Sequence, residues 1–319
     1  MQVVSKKSQR KAGFYPMNKI ISITGDLGSG KSTVSGPLCE RLNYEYIYTG
    51  KIQREIARKY NMTTLELNKY AETHPEIDEE IDSTFKSLNE STNLIVDSRL
   101  AWFFVPKSFK IFLKTNLIVS ANRISGDSLR ENEKYSSREE AVNKIVARKA
   151  SENKRYLELY GANCSDLSHF NLIVDTSFIT PERVIDIILE EYDSWLVSGE
   201  CYKAFISPEN LYPTRPARYI ADESFEKIQS DMKINGYDSE FPVVAANVNL
   251  FDYILDGHKR VSCAIKNNID LIPVVYPSAS GLASNGLTYT DDTIKSIDPE
   301  FFREWEKINS FKYFIYPQL

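Results

Sequence analysis

Cysteine is scarce in this chain and never paired in sequence: Cys39, Cys164, Cys201 and Cys263 stand far apart, with no Cys-x-x-Cys among them. That spacing suggests neither a thiolate zinc cluster nor a disulfide framework and fits a reducing compartment, so a cytoplasmic location is expected. No uninterrupted apolar run approaches the length needed to cross a bilayer, and no membrane partner is expected. The opening segment carries Lys6, Lys7, Arg10 and Lys11 but no apolar stretch behind them before Asn18. It is therefore read as a flexible tail over residues 1–17, not as a signal peptide. A strong excess of one charge is also missing, since 39 Lys and Arg against 44 Asp and Glu leave a net charge of −5. Duplex-DNA binders carry a basic field that displaces counterions, so nucleic acid is not expected as the main partner. Small anionic substrates held by local groups are compatible with this balance.

What is present is ordinary globular material: 319 residues, 42% hydrophobic and 12% aromatic. That length exceeds one typical core and suits two domains. Short β-branched runs at Ile20–Thr24, Tyr44–Tyr48, Leu94–Asp97, Lys110–Leu113 and Leu172–Asp175 alternate with helical patterns. The rhythm predicts an α/β fold with a parallel five-stranded sheet flanked by helices. Helices are expected at Glu66–Tyr70, Pro75–Phe85, Ser137–Tyr160 and Glu182–Trp195, the last opened by Pro181. A first domain is thus expected over 18–197.

The first strand runs into Gly25-Asp26-Leu27-Gly28-Ser29-Gly30-Lys31-Ser32-Thr33, which satisfies G-x-x-x-x-G-K-[ST] in the strand-to-helix setting that the pattern requires. Glycines let successive N–H groups turn inward around a phosphate, and the helix starting at Lys31 points its positive end at the same oxygens. Gly25, Gly28, Ser29, Gly30, Lys31, Ser32 and Thr33 are the expected ATP-binding residues. Lys31 supplies a point charge to the β- and γ-phosphates, and Ser32 a hydroxyl to Mg²⁺. Asp97 closes the strand Leu94-Ile95-Val96 and is the second expected metal residue.

The run Ile20–Trp195 resembles the cytidylate kinase family, particularly its compact archaeal-type members. Thr49-Gly50 followed by Arg54 resembles the family's monophosphate-binding turn and arginine. Asp97-Ser98-Arg99 stands where the family has an acidic or glycine residue and then an arginine gripping the acceptor phosphate. Arg148, Lys149, Glu152 and Arg155 fall where its lid arginines lie, and Asp175-Thr176-Ser177 matches its final strand end. The resemblance implies Lys31, Arg148, Arg155 and Asp97 as catalytic, and Thr49, Gly50, Arg54 and Arg99 as substrate-binding. Charge alone favours the arginines, because transfer between two polyphosphates gathers negative charge that groups outside the P-loop must offset. The segment between Thr49 and Asp97 is too short for the base-binding insertion of the larger bacterial members. Leu100-Ala101-Trp102-Phe103-Phe104 beside Arg99 is read mainly as core, with stacking on a base as the other reading.

After Ser198-Gly199-Glu200 the pattern restarts as a smaller α+β module over 203–278, followed by an aromatic-rich tail over 279–319 packing on it. Its sharpest feature is Asp256-Gly257-His258-Lys259-Arg260, a strand entering a helix through glycine with cations in the first turn. Cations there oppose the helix dipole, which predicts an anion offsetting them. The stretch resembles the phosphate turn of the ParB/sulfiredoxin-like superfamily, closest to the branch containing free serine kinases, and Pro216-Ala217-Arg218 follows the same order. The resemblance implies phosphate binding by Arg218, Asp256, Gly257, His258, Lys259 and Arg260. Arg215 stands where that branch has a glutamate base, leaving Glu209 and Glu223 as substitutes. Cys263 sits inside the helix and is read as a small buried residue.

The expected function is an ATP- and Mg²⁺-dependent phosphotransferase acting on a nucleoside monophosphate, with a second nucleotide or phosphometabolite at the C-terminal module. Two alternatives stand beside it: a bifunctional kinase phosphorylating serine or a similar alcohol at the second module, and a non-catalytic nucleotide-gated regulatory or DNA-associated protein.

Overall fold

A computed structural model describes residues 19–71, 73–126, 137–217, 222–277, 294, 297–315 and 317. The expected tail over 1–17 and Arg218 lie outside the described residues. The elements in chain order are β1 (Ile20–Gly25), α1 (Lys31–Leu42), β2 (Glu45–Tyr48), α2 (Thr49–Lys59), α3 (Thr64–Ala71), α4 (Pro75–Ser87), β3 (Leu94–Asp97), α5 (Ala101–Phe104), β4 (Phe109–Lys114), α6 (Leu117–Ser125) and α7 (Arg138–Tyr160). There follow β5 (Leu172–Asp175), α8 (Pro181–Ser198), β6 (Lys203–Ile206), β7 (Leu211–Pro213), α9 (Glu223–Asn235), β8 (Val243–Val248), β9 (Phe251–Asp256), α10 (His258–Lys266), β10 (Ile272–Val275) and α11 (Glu300–Asn309).

The runs IISITG, LIVD and LIVD form strands buried on both faces, as a parallel sheet covered by helices requires. The expected strands pair in the order β2-β3-β1-β4-β5, all parallel. The sheet does not stop there. Thr180 caps α8 by accepting from the Arg183 N–H, and Gly199 in the left-handed region ends it. The chain then returns as β6, parallel to β5, and the sheet continues through β10, β8, β9 and β7 to ten strands. The break in pattern at Ser198-Gly199-Glu200 is therefore a helix end, not a gap between two sheets.

On one face of the sheet, α1 and α8 cover Ile21, Ile23, Ile95, Phe109 and Ile111. On the other face a single apolar cluster runs from Ile20, Val96, Phe112 and Ile173 through Ala204 and Ile206 to Val243, Ile254, Val261 and Trp305. The second module thus shares a core with the first. α11 and Tyr313 belong to that core: Phe302 and Trp305 are buried, and the Tyr313 hydroxyl donates to Leu211 O at 2.7 Å. The tail reaches the first module as well, where Phe314 stacks on Phe178. Trp102 and Phe104 are buried in the core. Among the described residues no helix is long and apolar enough to cross a membrane.

Candidate active site

The loop after β1 is shaped by close approach. A Cβ on Gly25 would stand 2.3 Å from Leu113 O, so only glycine lets the loop leave the sheet beside β4. Gly30 is left-handed at φ 80° and turns the chain into α1, whose first turn carries no acidic residue and no side-chain cap. Free N–H groups and the positive helix end therefore face the loop's concavity. Lys31 Nζ donates to Gly25 O and Asp26 O, both at 3.3 Å, and the Ser29 hydroxyl oxygen is buried without a hydrogen-bond partner. Ser32 and Thr33 are exposed at the start of α1.

Asp97 ends β3 next to β1 and accepts from the Tyr46 hydroxyl at 2.8 Å. Burial pushes its carboxyl above the usual range, while the nearby Lys31 ammonium pulls the other way. Lysine and aspartate thus share one site.

Arg99 donates through Nη1 to Gly25 O and pairs through Nε with Glu152 at 3.1 Å. Glu152 also holds Arg148, at 2.9 Å. One α7 carboxylate therefore ties together two of the arginines expected to meet phosphate. Arg155 lies on the same face of α7 but pairs with Asp78 of α4 at 3.6 Å. Thr49 and Gly50 open α2 directly from the end of β2, and Arg54 one turn later donates to the Tyr48 hydroxyl. Arg54 is exposed.

Asp26 and Arg123 do much of the positioning. Asp26, an unspecified place in the motif, pairs with Lys149 of α7 at 2.6 Å and accepts from the Thr115 N–H at 3.1 Å. Burial would raise its carboxyl, but Lys149, Lys114 and the Thr115 bond together hold it below the ordinary carboxylate range. Arg123 of α6 reaches Gly28 O at 3.2 Å and Thr176 O at 2.7 Å, fastening the loop to the turn after β5. Asp175 accepts from Ser177 N, Ser207 N and Asn210 Nδ2, and so anchors the second module to the end of β5.

A cavity of about 660 Å³ lies beside this site, bounded by Asp26, Arg99, Phe112 and Lys114, by Arg148 and Lys149 of α7, and by Asn247, Asn249, Leu250, Phe251 and Asp252 of the second module. Lys114 pairs with Asp252 across it.

The second module's cation cluster sits at a cavity of about 580 Å³ lined by Arg215, Tyr237, Phe241, Asp256, Gly257, His258, Lys259 and Arg260. Gly257 is left-handed at φ 100° and starts α10. The expected offsetting charges are present as carboxylates of the protein: Lys259 pairs with Asp222 and Arg260 with Asp256 at 2.8 Å. His258 is buried and takes the Thr214 N–H on Nε2 at 3.1 Å. Burial lowers its pKa to about 4, helped by Arg215, so it is a neutral packing group at pH 7. Glu209 and Glu223 do not line this cavity. Cys263 is buried, as expected.

Comparison with known proteins matches residues 20–178 to the cytidylate kinase-like family model. Cytidylate kinase from Pyrococcus furiosus is 36% identical over 175 residues, covering 54% of this chain and 88% of that one. The enzyme from Sulfolobus acidocaldarius is 38% identical over 172 residues, covering 53% and 91%. Among solved structures, shikimate kinase from Bacteroides thetaiotaomicron aligns with a TM-score of 0.41 at 15% identity, over 55% of this chain and 98% of that one. Through its first module, the chain belongs to the cytidylate kinase-like family and is a P-loop kinase.

Proposed function

We propose that the first module transfers the terminal phosphoryl group of Mg-ATP to a nucleoside monophosphate, with cytidylate the preferred acceptor. The open, uncapped start of α1 behind a left-handed Gly30, with Lys31 against the loop, carries the reading. The unpartnered Ser29 hydroxyl and the acid-free first turn fit a polyphosphate there. Loop amides and Lys31 would hold the β- and γ-phosphates, while Ser32 and Asp97 would hold Mg²⁺, which supplies charge neutralisation between them. An oxygen of the acceptor phosphate forms the new bond to the γ-phosphorus, the bond to the β,γ-bridging oxygen breaks, and ADP leaves with that electron pair. The attacking oxygen is already anionic, so positioning and charge supply most of the rate and no side-chain base is required. In this reading Arg99 and Arg148 exchange Glu152 for the phosphates, with Arg155 joining them. Thr49, Gly50 and Arg54 hold the acceptor from the α2 side. The cytidylate kinases among the relatives favour cytidylate.

A second reading concerns the other module, and the left-handed Gly257 at a lined cavity favours it. There a nucleotide or phosphorylated metabolite displaces Asp222 and Asp256 from Lys259 and Arg260, as a regulator or as the donor in phosphorylation of serine or a similar alcohol.

Phosphorus NMR of the full chain with Mg-ATP and, in turn, CMP, UMP, AMP or serine tests both. The expected result is CDP and ADP from CMP, reduced about 100-fold or more by Lys31→Ala and little by Arg260→Ala. Transfer to serine alone, abolished by Arg260→Ala and indifferent to Lys31→Ala, would overturn the first reading in favour of the second.

A further inference from the structure

The large cavity beside the P-loop has one wall that the kinase module does not supply. Its inner face is α7, with Asn143, Ile145, Lys149 and Asn153, together with Phe112 and the end of β4. Its outer face is the turn between β8 and β9 with Asn210 and Tyr212. At about 660 Å³ it has the size of a site for a small organic ligand.

Away from Arg99 and Arg148, its chemistry is not that of a phosphate pocket. The lysines that reach it are already neutralised, Lys149 by Asp26 and Lys114 by Asp252. Six carboxamides also line it: Asn116 and Asn210 are bonded to each other, to the Ile118 N–H and to Asp175, Asn153 to Ser165 and Asn247 to Asp252, which leaves Asn143 and Asn249 to meet a ligand. A carboxamide offers a donor and an acceptor side by side and complements the edge of a heterocycle, and Phe251, half-buried beside the turn, adds an apolar surface. Arg99 and Arg148 at one end place the phosphate chemistry of the proposed function within the same enclosure.

The outer wall is held in a costly conformation. Asn249 and Leu250 both have positive φ, 49° and 77°. Consecutive left-handed residues make a tight hairpin turn in which glycine is the usual second member. Leucine there costs on the order of 1–2 kcal/mol. Leu250 lines the cavity, and Asn247 is fixed by donating to Asp252 Oδ1 at 2.8 Å. A branched side chain kept where the backbone asks for glycine points to a role in what the cavity holds.

We propose that the second module completes the acceptor site of the kinase: Asn247, Asn249 and Leu250 form the wall against which the acceptor's base lies, and they set which base is phosphorylated. This rests on the monophosphate kinase reading above. Leu250→Gly relieves the turn and should fold at least as well as the parent; Asn249→Gly keeps the turn and removes the carboxamide. For both, the expected result is a rise in acceptor KM and a change of about tenfold or more in the ratio of kcat/KM between CMP and AMP, with the KM for ATP within about twofold. Hydrogen exchange of the segment 247–252 should slow when the preferred monophosphate is added without ATP. Unchanged acceptor ratios in both variants, with no slowing of exchange, overturn the proposal. If the parent phosphorylates no nucleoside monophosphate, the kinase reading fails by itself. The exchange experiment with CMP, UMP, AMP and GMP then decides the wall: protection of the turn by any of them sustains it as a nucleotide-binding surface, and protection by none sinks it.

Discussion

Replacing Lys114 by Met should unsettle the whole molecule more than its place at a strand end suggests. Lys114 ends β4 in the kinase module, and Asp252 is the second residue of β9 in the other module. The side chains are 12% and 4% exposed, so the pair is screened little by water. Its surroundings are built around it: Asn247 donates to the same carboxylate, and the Tyr276 ring lies 5.7 Å from the ammonium. Removing one partner of such a pair leaves a buried charge alone and costs ~3–5 kcal/mol. Replacing both with apolar residues of similar size removes the lone charge, so Lys114→Met with Asp252→Leu should recover part of the loss, the rest staying with Asp26, Asp175 and Asn247, which also face the pair. Urea unfolding followed by fluorescence suits the test, because Trp102 and Trp195 report on the first module and Trp305 on the second. With Trp305→Phe alongside, the two sets can be read separately. One shared core predicts coincident transitions in the parent and a coupling of several kcal/mol in the double-mutant cycle. A single-mutant cost below ~1 kcal/mol, or a double mutant as unstable as the two losses added, would refute the reasoning.

Three further outcomes are expected. Gly25→Ala should prevent stable folding or abolish nucleotide binding, since its Cβ meets the Leu113 carbonyl at 2.3 Å, whereas Gly161→Ala, left-handed but in open space, should cost only ~1–2 kcal/mol; thermal melts of both check the contrast. Arg99→Lys keeps the charge but loses the fork that reaches Gly25 O and Glu152, and should lower kcat/KM for the acceptor about tenfold or more while leaving the KM for ATP nearly unchanged. His258 has a folded pKa of about 4 against 6.5 when free, so the unfolded chain takes up its proton first as the pH falls. Its contribution is full above pH 6.5 and is lost on descending towards pH 4, a difference of ~3 kcal/mol that His258→Gln should flatten in urea titrations across that range.

The P-loop and the strands around it were legible because each signal is local. A buried strand, glycines at fixed offsets and a lysine opening a helix all fall within a dozen consecutive residues, and the parallel order follows from the alternation of strands and helices. α2 was hidden by Gly50, a poor helix former at its second position, although Ile52, Ile56 and Ala57 mark its buried face. α11 passed as a tail, yet Phe302, Trp305 and Asn309 recur at helical spacing and are its buried residues. The aromatic run beside Arg99 went largely to the core because Trp102 packs edge-on to Phe170 and Phe104 on Phe85.

The parts that were not legible are those in which residues far apart meet. Lys149 reaches Asp26 across 123 positions, and Lys114 reaches Asp252 across 138. No spacing rule spans such distances. Motif logic alone does not say what faces Lys259 and Arg260. Cations at a helix start do call for negative charge, but the helix dipole is indifferent to whether that charge is a ligand or a carboxylate, and here Asp222 and Asp256 supply it. The same ambiguity holds at Arg99 and Arg148, which Glu152 occupies. Glu152, resting between Arg99 and Arg148, helps keep α7 against the P-loop, and in the proposed reading an entering phosphate displaces it. The ion pairs Lys149–Asp26 and Arg99–Glu152 thus hold α7 against the loop, and Asp175 and Lys114 tie the same end of the sheet to the second module.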